Sequence, residues 1–159
     1  MIQALQDFAA SFPAWSQWLV VALLAAIPFV ESYFGSAIGV AIGLPPVIAV
    51  VMAVIGNTVS MLVFVYAGAS IRERRKRKRP EEQTSAKSER LRRMFDRFGV
   101  PGVSLLGQTV LPSQITSGAM VGFGASRNRV IIWQIVSIIM WGAIFAALVT
   151  LGLDLAKLR

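Results

Sequence analysis

The sequence contains no cysteine and no histidine. Without cysteine there is no disulfide, no thiol redox chemistry and no thiolate metal site. Without histidine the commonest metal ligand and the usual general base near neutral pH are missing. Charge is scarce too: 15% of the 159 residues are Asp, Glu, Lys or Arg, against about 25% in soluble domains. No P-loop, G-x-S-x-G elbow or metal-ligand cluster occurs, so neither enzymatic activity nor a cofactor or metal is expected. Apolar residues are abundant, at 55% of the chain. That balance reads as an integral membrane protein.

The few charges are unevenly placed. Most of the sixteen Lys and Arg residues lie between Arg72 and Arg97. Trp18–Val30 is uncharged, and after Glu31 the run Ser32–Ile71 extends for 40 residues without a charge. Phe98–Ser126 and Val130–Leu153 are likewise uncharged. Met1–Pro13 lacks a positive n-region, so a cleavable signal peptide is not expected. Its apolar residues Ile2, Leu5, Phe8, Ala9 and Phe12 suit either a short interfacial helix or a frayed end. Trp15 and Trp18 fit an aromatic belt.

One span needs about 20 residues. Gly43-Leu44-Pro45-Pro46 divides the long first run, leaving Val47–Ile71 as a full span. Ala14–Leu44 reads either as one long span or as a hairpin with its tip near Pro28–Gly35. Phe98–Ser126 is interrupted by Pro101-Gly102, Pro112, Gly118, Gly122 and Gly124. A straight span is not expected there, and a hairpin with its tip near Leu111–Thr116 fits better. Val130–Leu153 is a second full span. The basic run Arg72–Arg79, directly after the first span, assigns the loop to the cytoplasm and suits anionic lipid headgroups. It has no interleaved aromatics, so nucleic-acid binding is not expected.

Glu31 is the one acidic residue with long apolar runs on both sides. A carboxylate at membrane depth costs roughly 2.5–3.5 kcal/mol and calls for a reason. It has three readings: a proton or cation coupling site, a cargo site for a lipophilic cation flanked by Tyr33 and Phe34, or a structural group capping the broken hairpin. Asn57 either hydrates a cavity or bonds a neighbouring helix. Gln108, Gln114, Thr116 and Ser117, around Pro112, form a polar cluster that reads as the wall opposite Glu31, or as groups that satisfy backbone at the second tip.

A shift of 83 residues places Gly35 on Gly118, Gly39 on Gly122, and Glu31 on Gln114. These four are the hairpin glycines of both halves. The expected fold is an all-α integral membrane protein, an inverted repeat of two re-entrant helical hairpins each followed by a transmembrane helix. Within one membrane domain (1–159), residues 14–71 form the first repeat, 72–97 the basic cytoplasmic loop and 98–153 the second repeat. Two spans and two hairpins give little cover for a site, so a homodimer is expected.

The stretch from Ile27 through Pro46 (with Pro28-Phe-Val-Glu31), then Ile55-Gly-Asn57, then Leu111-Pro-Ser-Gln-Ile-Thr-Ser-Gly118, resembles the small multidrug export proteins of bacteria. That family is related to the DedA/VTT membrane proteins. The resemblance covers about 27–142, with Glu31, Asn57, Pro112, Ser117 and Gly118 at positions typical of the family. It implies a multi-pass protein of the bacterial inner membrane, a secondary active transporter. Its cargo would be lipophilic cationic or neutral compounds, with protons coupled through Glu31. Two departures matter. Tyr33 stands where the family often has Arg, and the arginines flanking the second hairpin's proline in DedA proteins are replaced by Gln108 and Gln114. That weakens the alternative, a DedA-like lipid carrier or flippase for anionic headgroups. A third reading is a membrane scaffold that uses the basic loop as its partner site.

The topology is testable because no native thiol interferes. With a single cysteine at Ser85→Cys, intact cells should be labelled by a membrane-permeant maleimide and not by an impermeant one. Labelling by the impermeant reagent would put the loop outside.

Overall fold

The structure, a computed structural model, describes residues 2–77, 86–107 and 111–157. Gln108 and the basic side chains of Arg72–Arg79 lie outside the described residues. The described chain is helical throughout, without strands: α1 (Ile2–Ala10), α2 (Gln17–Ala25), α3 (Glu31–Ala41), α4 (Pro46–Arg77), α5 (Ala86–Leu106), α6 (Ser113–Phe123) and α7 (Arg127–Lys157). Among the described residues two helices are long and apolar enough to cross a membrane, over Pro46–Ile71 and Arg127–Ala156. Their apolar side chains are largely turned outward. Val47, Val51, Ile55, Val59 and Val63 recur at every fourth position of α4 and are all exposed, which puts them on one face. Ile132, Val136 and Ile139, and further on Leu148, Leu151 and Leu155, do the same on α7. A soluble protein rarely shows such continuous apolar surface.

The chain groups into two compact units, Met1–Val59 with Ile138–Arg159, and Ser60–Ser137. The long helices α4 and α7 each divide between the units.

In the first unit, Ala14–Leu44 is not one long helix. α2 and α3 are separate, pack on each other, and are joined by a turn at 26–30 that holds Pro28. α1 is a formed helix packed on both, its Ala9 and Leu5 set against Val20, Leu24, Val30 and Ile38. Gly35 and Gly39 are two of the glycines read from sequence as hairpin glycines. Both sit inside α3, where they allow close packing. A Cβ on Gly35 would lie 2.7 Å from Ala25 Cβ, and one on Gly39 2.7 Å from Ala49 Cβ. Gly56 of α4 is closer still, its missing Cβ directed onto the backbone carbonyl of Ala22. Small residues four apart let helix backbones meet where apolar burial alone would not drive them together. α4 begins at Pro46, where a missing N–H costs nothing.

In the second unit, the stretch read as the polar loop 72–97 is helical at both described ends. α4 continues to Arg77 and α5 starts at Ala86. The helix-forming Arg, Lys, Glu and Ala of these stretches favour that state. α5 breaks at Gly99 (φ 64°, ψ −168°), a conformation that only glycine adopts readily. The break therefore comes before Pro101, which takes a first-turn place in the following segment. α5 and α6 pack on each other, and residues 108–110 between them lie outside the described residues. Gly118 of α6 faces the Phe64 carbonyl of α4, where a Cβ would come to 3.0 Å, and Gly68 faces Gly118. Gly122 does not belong with the packing glycines. It lies inside α6 with open space where its Cβ would be, so nothing steric requires glycine there. An exposed Arg127–Glu73 pair at 3.1 Å adds little stability.

Gly56→Val should destabilise the purified protein by about 1–3 kcal/mol, the range for overpacking a well-filled seam. Gly152→Val, at a position with nothing within 4 Å, serves as the control. Thermal melts in detergent read both, and equal stabilities would remove the close-approach argument.

Candidate functional site

The first unit's site begins with the turn between α2 and α3. Phe29 (φ 74°) and Glu31 (φ 54°) are both non-glycine residues in the left-handed region, at about 1–2 kcal/mol each. Between them Val30 is buried in the cluster of Val20, Leu24 and Ile38, which holds the turn down against that strain. Such strain concentrates at functional sites. Its consequence here is that α3 opens with an acidic residue, Glu31, whose side chain is fully buried. The positive end of the helix dipole favours a carboxylate at that place. The Glu31 amide donates back to the Ile27 carbonyl at 3.2 Å, closing the turn.

α3 then presents two kinds of side chain. Ser32 and Ser36, four residues apart, are buried and donate to the Ile138 and Gly142 carbonyls of α7, each at 2.8 Å. Gly142 leaves room for this, since a Cβ there would lie 3.4 Å from Ser32 Cβ. Tyr33 and Phe34 instead join Phe145 of α7. The ring centroids are 4.7 Å apart for Tyr33–Phe34, 5.2 Å for Tyr33–Phe145 and 5.8 Å for Phe34–Phe145, and Trp141 lies 6.3 Å from Phe145. These rings are half-buried, so their faces stay within reach of a ligand. Asn57 is buried on α4 in the same unit.

The second unit holds a different chemistry. Pro112 caps α6, and Ser113, Gln114, Thr116 and Ser117 are fully buried in its first turns. Thr116 donates to the Ser113 carbonyl at 3.1 Å and accepts from Gln134 Nε2 at 3.0 Å. Ser117 donates to the Gln114 carbonyl at 2.9 Å, and Ser137 to the Ser104 carbonyl at 2.7 Å. No charged side chain is buried in this unit among the described residues.

The residues singled out from sequence therefore divide between the units. Glu31, Tyr33, Phe34 and Asn57 belong to the first, and Pro112, Gln114, Thr116 and Ser117 to the second. Sequence reasoning missed Phe145, Ser32 and Ser36 in the first unit, and Gln134, Ser104 and Ser137 in the second. The four-residue spacing of the serines and the presence of Gln134 in an apolar run were signals for some of these. No signal pointed to Phe145.

No protein-family model, curated protein or solved structure matches this chain.

Ser32→Ala and Ser36→Ala each remove one buried interhelical bond, and each should cost about 0.6 kcal/mol, the mean for such bonds in membrane helices. Unfolding in graded denaturant measures this. No change in either variant would make the two contacts incidental.

Proposed function

We propose that this chain is a secondary transporter of the bacterial inner membrane, of the small multidrug export type that its motifs resemble. It exports lipophilic cationic or neutral compounds and couples their movement to protons through Glu31. The observation that carries this reading is the fully buried Glu31 at a strained helix start, in the same unit as the Tyr33, Phe34, Phe145 and Trp141 rings. A carboxylate and aromatic faces are the two groups that attract an organic cation, each ring contact being worth about 0.5–2 kcal/mol. The apolar runs of the sequence contain no Lys or Arg, so a headgroup phosphate would lack its usual partners there.

The architecture supports a membrane-embedded reading. α2 and α3 have 9 and 11 residues, about 13 and 16 Å at 1.5 Å per residue, half of a hydrocarbon core about 30 Å thick. We take the α2–α3 pair, and the pair formed by the end of α5 with α6, as re-entrant hairpins, each followed by a span (α4 and α7). One crossing separates the two halves, which makes the repeat inverted, the plan of many secondary transporters. The basic stretch 72–97 then lies in the cytoplasm and meets anionic headgroups. The exposed apolar faces of α4 and α7 meet lipid or a second copy, in keeping with a homodimer.

Only the ionised carboxylate attracts a cation. Affinity for a lipophilic fluorescent cation should therefore fall as the pH is lowered and Glu31 takes up a proton. Glu31→Gln should bind at least about tenfold more weakly, a loss of about 1.4 kcal/mol, with no pH dependence. Fluorescence anisotropy on purified protein reads both. Equal binding by wild type and Glu31→Gln at every pH would sink this assignment and make lipid transport the next activity to assay.

A further inference from the structure

The first segment of α5, Ala86–Phe98, precedes the break at Gly99. Leu91 is buried, Met94 and Phe95 are half-buried, and the Phe95 ring lies 6.1 Å from that of Phe123 in α6. The Arg92 guanidinium stands 5.8 Å from the same Phe123 ring. These contacts dock the segment on the C-terminal end of α6. Arg127 and Arg129 follow shortly after that end, are exposed, and precede the uncharged run Val130–Leu153. Such a charge boundary marks the level of a membrane surface. The contact with Phe123 brings the α5 segment to that level.

Around this helix the side chains sort by type. At 3.6 residues per turn, Arg90, Arg93 and Arg97 fall within a sector of about 60°, and all three are exposed. Met94 and Phe98 border that sector on one side, and Phe98 is 47% exposed. Glu89 and Asp96, both exposed, border it on the other. The Arg97 guanidinium lies over the Phe98 ring, 5.1 Å from its centroid. Apolar, cationic and acidic strips thus follow one another around the axis. A helix lying in a membrane surface meets acyl chains, phosphates and water in that order. Arginines three and four residues apart repel each other on a helix, and among the described residues none of the three is in an ion pair with a carboxylate. A negatively charged partner relieves that repulsion, and the planar guanidinium fork fits phosphate oxygens two at a time. The exposed Phe98 beside them favours a lipid phosphate over a soluble one, because only the lipid brings acyl chains to cover the ring.

We propose that Arg90, Arg93 and Arg97, beside Phe98, form a binding site for anionic phospholipid headgroups, with the first segment of α5 lying in the plane of the membrane surface. The site narrows the headgroup contact of the stretch 72–97 to three side chains apart from the run Arg72–Arg79. It rests on the membrane-embedded reading given above, and not on the choice of cargo. The test exploits the absence of native cysteine. Full-length protein with a fluorophore at Met94→Cys is reconstituted in phosphatidylcholine vesicles. These contain equal small shares of chain-nitroxide lipid, on either phosphatidylglycerol or phosphatidylcholine. With the three arginines intact, quenching should favour the anionic lipid at least about fivefold, the effect of about one charge. Arg90→Gln, Arg93→Gln and Arg97→Gln together should bring the two lipids to equality. Neutralising the basic residues of Arg72–Arg79 instead should leave the preference in place. A second label at Ile55→Cys, on the outward face of α4, reads insertion and folding, and chain-nitroxide phosphatidylcholine should quench it in every variant. Quenching at Ile55 together with equal effects of the two lipids at Met94 would overturn the lipid site alone. A preference that survives the three substitutions, or one lost on neutralising Arg72–Arg79, would also overturn it. No quenching at Ile55 in the otherwise native protein would overturn the membrane-embedded reading and the site with it.

Discussion

Close approach of helix backbones is the constraint on which the rest of this molecule depends. Gly35, Gly39 and Gly56 meet Ala25, Ala49 and Ala22 in the first unit, and Gly68 meets Gly118 in the second. These contacts bring α2 and α6 against α4 with almost no side chain between them. Where outward faces are as apolar as those of α4 and α7, burial of apolar surface does little to choose one helix packing over another. Shape and short hydrogen bonds then decide it. The Ser32 and Ser36 hydroxyls reach the α7 carbonyls at 2.8 Å because no bulky side chain holds the helices apart.

The same closeness creates the chemistry. A turn at 26–30 tied down by Val30 forces Phe29 and Glu31 into left-handed conformations, and that places a carboxylate at the first residue of a buried helix. In the second unit α6 is capped by Pro112 and carries the neutral Gln114 in its first turn. One half carries an ionisable group with aromatic neighbours, and the other carries neutral oxygens.

Several expectations from sequence changed for local physical reasons. Breakers were read from Pro101-Gly102, yet the break falls at Gly99, because proline fits a first turn and glycine alone fits φ 64°, ψ −168°. Gly35 and Gly39, read from sequence as hairpin glycines, are contact points inside α3, which only their neighbours Ala25 and Ala49 reveal. Gly122, matched to Gly39 by the 83-residue shift, has no neighbour at all. Gly118 is thus a contact point, and Gly122 is not.

The sequence alone determined the class of structure and the special residue. Uncharged runs longer than a span dictate two apolar helices, because hydrogen-bonded helix is the form in which such runs avoid leaving backbone groups unsatisfied. A lone carboxylate among them stands out because burying it costs so much. The separation of α2 from α3, the ring cluster around Phe145 and the pairing of Gln134 with Thr116 were decided only by tertiary structure. Each depends on which distant residue lies within a few ångströms: Ala25 beside Gly35, Phe145 beside Tyr33, Thr116 beside Gln134. Periodicity along one chain records which face of a helix is apolar, but not which partner that face meets.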